Sequence, residues 1–170
     1  MKQHQVILSI GSNQGNRLEN IIRSLQYIHT SLGTIVRVSS LYETPSWGFD
    51  SVFFYNAAIL LHTTATAQQV LTGALAIEKK MGRVNRNKGS YRDRIIDIDL
   101  IAYDTEIITT EVLKIPHPLM QHRRFVLVPM LDLDLDCVHP ILNQSVATLL
   151  ETTLDKSSCT LVQNLAVSLF

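Results

Sequence analysis

Hydrophobic positions change period along the chain, and each change marks an element. Val6-Ile7-Leu8-Ser9-Ile10 is a short apolar run closed by Gly11-Ser12-Asn13, the pattern of a buried strand and a turn. Leu18, Ile21, Ile22, Leu25, Ile28 and Leu32 then recur at three- and four-residue spacings, which predicts an amphipathic helix with Gly33 as its C-terminal cap. The β-branched stretch from Thr34 to Tyr42 predicts a second strand, and Thr44-Pro45-Ser46-Trp47-Gly48 breaks it. Phe53 to His62 predicts a third strand, antiparallel to the second because the connection is short. Thr66 to Met81 is helical again, with Val70, Leu71, Leu75 and Ile77 on its apolar side and Gly82 at its end. A polar segment from Arg83 to Arg94 leads into a fourth strand, Ile95 to Tyr103. The order βαββαβ predicts an α+β, ferredoxin-like fold, an antiparallel sheet with two helices on one face. A C-terminal extension follows: a hairpin from Glu106 to Leu113, a helical turn near Met120 and a helix from Val146 to Leu154. Residues 155–170 read as a last packed element or a partner contact.

Length and composition narrow the class. At 170 residues, the chain reads as one domain over 1–170. Hydrophobic residues at 46% against 18% charged exclude disorder. A formal net charge of zero argues against a protein that wraps nucleic acid. Cys137 and Cys159 are too few for a disulfide framework, and no apolar run approaches the roughly 18 residues of a membrane span. Met1-Lys2-Gln3-His4-Gln5 lacks signal-peptide organisation, so the expectation is a soluble, monomeric, cytoplasmic domain.

Candidate chemistry centres on Asp97-Ile98-Asp99. Residues i and i+2 of a strand share one face about 6.5–7 Å apart, a separation at which two carboxylates can hold a pair of hard cations such as Mg²⁺. A strand with a solvated face has the same spacing, and Asp132, Asp134 and Asp136 repeat it near an expected surface turn. The difference is the preceding segment, where Arg83, Arg86, Lys88, Arg92 and Arg94 stand against the single acid Asp93. Cations feeding an acidic strand suit polyphosphate bound with a metal. Gly82, Gly89 and Ser90 would let that segment open and close. Gly11-Ser12-Asn13-Gln14-Gly15 lacks the lysine of a phosphate loop and reads as a turn capping the first helix. His117, between Pro116 and Pro118, is either a preorganised contact or part of a structural turn. Trp47, Phe54, Tyr91 and Phe125 lie in turns or beside polar groups, and Phe54 shares a strand face with Asn56. An aromatic wall with one amide suits a flat heterocycle, although core packing explains any one of them singly.

Taken together, these segments resemble the 6-hydroxymethyl-7,8-dihydropterin pyrophosphokinases of folate synthesis. The resemblance runs from about Val6 to Leu150. Its most specific part is Arg94-Ile95-Ile96-Asp97-Ile98-Asp99, similar to the family's Arg-x-x-Asp-aliphatic-Asp. Around it stand Ser9-Ile10-Gly11-Ser12-Asn13, Tyr42-Glu43-Thr44-Pro45, Asn56-Ala57-Ala58, Glu78 with Gly82-Arg83-Val84, and Pro116-His117-Pro118 with Arg123-Arg124-Phe125. The resemblance implies a ferredoxin-like fold and transfer of the pyrophosphoryl group of ATP to the pterin hydroxymethyl oxygen, with release of AMP. It further implies that Asp97 and Asp99 bind two Mg²⁺ and that Arg83 and Arg94 contact the phosphates. Thr44, Pro45, Trp47 and Asn56 would read the pterin edge, with its ring between Phe54 and Phe125. Glu78, Arg86, Lys88, Ile98, His117 and Arg123 would line the ATP site.

The chain departs from the family pattern in places. Arg92-Asp93 stands where a Gly-Pro or Gly-Ala pair is common, and either Arg86 or Lys88 takes the second cationic role. Leu75 stands at a polar nucleotide contact, and Phe54 where some members have Tyr. Two other readings remain: an RNA-binding module using the sheet face, which needs adjacent exposed aromatics and a basic field, and a family member that binds pterin without catalysis.

Overall fold

The computed structural model describes residues 2–48, 50–82 and 93–165. Arg83, Arg86 and Lys88, with Gly89, Ser90, Tyr91 and Arg92, lie outside the described residues. β1 (His4–Ser12) runs between β4 (Phe54–Thr63) and β5 (Asp97–Tyr103), antiparallel to both. That central position is why its apolar run is nearly continuous: both faces are covered. β2 (Thr34–Val38) and β3 (Leu41–Thr44) both pair with β4. With the broken pair counted as one strand, the order is that of the expected ferredoxin-like sheet.

The helices begin and end on local chemistry. In α1 (Arg17–Ser31) the Asn16 side chain accepts from Glu19 N–H at 3.2 Å, so Asn16 is the cap and the Gly11–Gly15 segment is not. Gly33, just past the end, has φ +152°, and a Cβ there would meet the His62 carbonyl at 2.3 Å. α2 (Ala67–Lys80) starts with a capping box between Thr66 and Gln69. Both helices pack on one sheet face, burying Ile21, Leu25, Ile28, Val70, Ala74 and Ile77 against Val6, Leu8, Ile10, Ile59 and Leu61.

Two expectations need correction. The strand expected over 34–42 is interrupted at Ser39 and Ser40: Ser39 still pairs with Ala58, but Ser40 N–H turns to Asp132 Oδ2 at 2.6 Å. Asp132 is therefore a structural acceptor and not simply solvated. Second, the sheet carries helices on both faces. After the hairpin of β6 (Ile108–Thr109) and β7 (Lys114–Ile115) and a 3-10 turn at Met120–His122, α3 (Arg124–Asp132) packs on the other face. Its Val126, Leu127 and Met130 join Ile7, Ala58, Leu60 and Ile101 in a second core. This helix carries Pro129 inside and has almost no polar face, so periodicity did not reveal it. Two short strands, β8 (Val138–His139) and β9 (Gln144–Ser145), lead to α4 (Val146–Thr152), which extends that layer. Of the two readings of residues 155–170, a last packed element holds for part of the segment: β10 (Thr160–Gln163) pairs with β3 as an edge strand. Among the described residues no helix is long and apolar enough to cross a membrane.

Candidate active site

The sheet face beneath α3 and α4 changes character along its length. At one end Ile7, Ala58, Leu60 and Ile101 are core. Toward the other, cross-strand partners place Ser9 beside Asp99 and Gly11 beside Asn56 and Asp97, while Thr44 lies beside Phe54. Strand alternation puts all of these on one face, so the register assembles Thr44, Phe54, Asn56, Asp97 and Asp99 from three strands, with Ser9 and Gly11 of β1 between them.

Each aspartate faces an arginine. Arg94 Nη1 donates to Asp97 Oδ2, and Arg123 Nη1 lies 3.9 Å from Asp99 Oδ2. The carboxylates are 18% and 25% exposed, open enough to meet a ligand. The Arg123 guanidinium also lies over Trp47 at 4.7 Å and over Phe125 at 5.6 Å, and its Nε is buried without a hydrogen-bond partner. It thus joins the acidic strand to the aromatic wall. His117 is anchored by its N–H to the Ile101 carbonyl at 2.9 Å. Burial first, then the neighbouring Arg123 charge, push its pKa down to about 4, against the opposing pull of Asp97. The imidazole is therefore neutral at pH 7, and Nδ1 accepts Leu119 N–H at 3.2 Å. That leaves the proton on Nε2, a neutral donor beside the arginine.

The opposite side of the site is shaped by what is missing. Buried Asn56 donates from Nδ2 to Thr44 Oγ1 at 2.8 Å, which fixes its amide plane. A Cβ on Gly11 would lie 2.6 Å from Asn56 Oδ1 and 3.5 Å from Phe54 Cδ1, so this glycine makes the room for the amide. Pro45 and Trp47 follow directly at the end of β3. Glu78, only 2% exposed, uses Oε1 to accept Ile98 N–H at 2.8 Å, tying the last turn of α2 to the terminal strand of the sheet. The Ile98 side chain is core, which leaves its main chain as the part available to a ligand.

Three residues here escaped the sequence reading. Arg17 Nη1 donates to Glu43 Oε2 at 2.8 Å and to the Phe53 carbonyl at 2.6 Å, and its guanidinium lies 3.8 Å over the Tyr55 ring. Asn13 and Ser51 both bond Asp93, the residue before Arg94. Asn13 belongs to a recognisable motif, but its partners lie some 80 residues away and leave no local signal.

Paired strand carboxylates and arginines, with an amide and aromatic side chains on the same face of a ferredoxin-like sheet, are groups that a phosphate-handling enzyme of heterocyclic substrates would need. Residues 7–135 match the family of 7,8-dihydro-6-hydroxymethylpterin-pyrophosphokinases, and the chain belongs to that family. It is 35% identical over 137 residues to the 2-amino-4-hydroxy-6-hydroxymethyldihydropteridine pyrophosphokinase of Aquifex aeolicus, covering 80% of this chain and 84% of that one. The same-named protein of Porphyromonas gingivalis is 38% identical, with 75% and 88% covered. A folic acid synthesis protein of Pneumocystis carinii is 38% identical over 152 residues, but the chain spans only 20% of its length. A crystal structure of Plasmodium falciparum HPPK-DHPS shares the fold with a TM-score of 0.72 at 17% identity, over 88% of this chain and 45% of that one.

Proposed function

We propose that the chain transfers the pyrophosphoryl group of ATP to the hydroxymethyl oxygen of 6-hydroxymethyl-7,8-dihydropterin in folate synthesis. In this reaction the hydroxyl oxygen bonds to the β-phosphorus and loses its proton to solvent. The bond from the β-phosphorus to the α–β bridging oxygen breaks, and AMP leaves with that oxygen. The observation that carries the reading is the shared face: Asp97 and Asp99 lie on the same side of the sheet as Thr44 and Asn56, across Gly11 of β1, and Arg123 reaches from Asp99 to Trp47. Family membership supports it.

Asn56 and Thr44 present fixed polar edges to the pterin, with Pro45, Trp47, Phe54 and Phe125 around its ring. Arg94 and Arg123 meet the phosphates, and the neutral His117 donates from Nε2 without adding charge. Arg83, Arg86 and Lys88 supply further cations, and Glu78 with the Ile98 main chain borders the nucleotide. Holding both substrates against one rigid sheet face supplies proximity and alignment. Asp97 and Asp99 fit Mg²⁺, since they are hard oxygen donors, partly exposed and on one face of the strand. When bound, the metal supplies Lewis-acid neutralisation of the triphosphate and the leaving oxygen. We further take the chain to be a single domain acting as a cytoplasmic monomer without nucleic acid. An RNA module would need adjacent exposed aromatics on an open sheet face, whereas α3 and α4 cover one end of this face and two carboxylates stand at the other.

Incubation with ATP, Mg²⁺ and the pterin, resolving AMP from ADP, tests the reading. Pterin-dependent AMP is expected; pterin-dependent ADP would mean transfer of one phosphoryl group, and neither product, with Mg·ATP still binding, would mean a binder without catalysis and reopen the RNA reading.

A further inference from the structure

Three separate segments converge on one carboxylate oxygen at the edge of the site. Asp93 Oδ1 accepts from Asn13 Nδ2 at 2.8 Å and also from the Ser51 hydroxyl. Asn13 is buried, and its remaining groups grip the next residue: its Oδ1 accepts Arg94 N–H at 2.6 Å, and its own N–H donates to the Arg94 carbonyl at 3.1 Å. Its Nδ2 also reaches the Val52 carbonyl at 3.4 Å. Ser51 N–H in turn donates to Ser46 Oγ at 3.1 Å. Asp93 thereby fastens the segment carrying Pro45 and Trp47 to the backbone that aims Arg94 at Asp97. Both donors are neutral and the acceptor is charged, the stronger kind of hydrogen bond.

We propose that Asp93 is a positioning residue that couples the two substrate sides of the site, through Ser51 to the pterin side and through Asn13 to Arg94. A nucleotide that fixes Arg94 then also favours the bonded arrangement of Ser46, Ser51 and Val52, and the pterin binds more tightly. By linkage the pterin must tighten the nucleotide by the same factor. The identity of the two ligands rests on the pyrophosphokinase reading, whereas the latch itself can be measured without them.

Trp47 is the only tryptophan of the chain, so its fluorescence reports on the latched segment. In ligand-free protein, Asp93→Ala and Ser51→Ala should raise acrylamide quenching of Trp47 by about twofold, since an unfastened segment opens more often. Asp93→Asn should stay near the parent value, because its amide oxygen still accepts both bonds. With ligands, pterin affinity is measured with and without Mg²⁺ and α,β-methylene ATP, whose bridge cannot break. The parent chain should show tightening of about tenfold, which Asp93→Ala reduces to nearly none while the chain stays folded, melting only a few degrees lower. Unchanged quenching in both alanine variants, or tightening that survives in Asp93→Ala, overturns the proposal. If the parent chain binds neither ligand, the pyrophosphokinase reading fails and the quenching result alone decides the latch.

Discussion

Two sets of aspartates share an i, i+2 spacing and have opposite fates. Asp97 and Asp99 lie on a strand, so alternation points both from one face, and the sheet brings Arg94 and Arg123 to meet them. Asp132 ends a helix and Asp134 sits in a turn at φ +51°, so the same spacing there does not align the carboxylates on one strand face. Asp132 is taken by Ser40 N–H, and Asp134 is 100% exposed with Arg37 at 3.9 Å. Spacing becomes chemistry only when the backbone puts both side chains on one surface and another element supplies the opposing charge.

The contrast breaks if the strand pair can be lost without effect. Asp97→Ala or Asp99→Ala should each lower kcat on the order of 10³-fold, several kcal/mol of transition-state stabilisation, in a steady-state AMP assay. Folding should be retained, since neither carboxylate is in the core. The next effect tests the room beside the pair. Gly11→Ala drives a Cβ to 2.6 Å from Asn56 Oδ1, and about 1–3 kcal/mol of overpacking should raise the pterin KM roughly tenfold or more while the ATP KM holds.

His117 sharpens the contrast through pH. Its folded pKa of about 4 lies below the ordinary 6.5, so between those values the unfolded chain binds a proton that the folded chain does not. Stability of the metal-free protein should therefore fall as pH drops from 6.5 toward 4, by at most about 3 kcal/mol before solvent screening reduces it. His117→Gln should remove that slope from urea midpoints taken across the range. The smallest effects belong to the other aspartates. Asp132→Ala should cost about 1 kcal/mol by leaving Ser40 N–H unpaired, and Asp134→Ala no more than about 0.5 kcal/mol, each read from denaturant midpoints. Neither should change AMP formation.

Much of this molecule is local, and local physics is legible in one sequence. The apolar run of β1, the 3.6-residue period of α1 and α2 and their end signals at Gly33 and Thr66 depend on neighbours within a few residues. The alignment of Asp97 and Asp99 on one strand face was also readable, although their spacing alone did not separate them from Asp132, Asp134 and Asp136. Tertiary structure decided the rest. It chose the face of the sheet they occupy and covered the far end of that face with α3, a helix hidden by its apolar surroundings and Pro129. It also set Gly11 against Asn56, stretched Arg123 from Asp99 to Trp47 and brought Asn13 and Ser51 to Asp93. Those partners lie tens of residues apart, and contacts at such separation follow from register and packing, which no window of sequence contains.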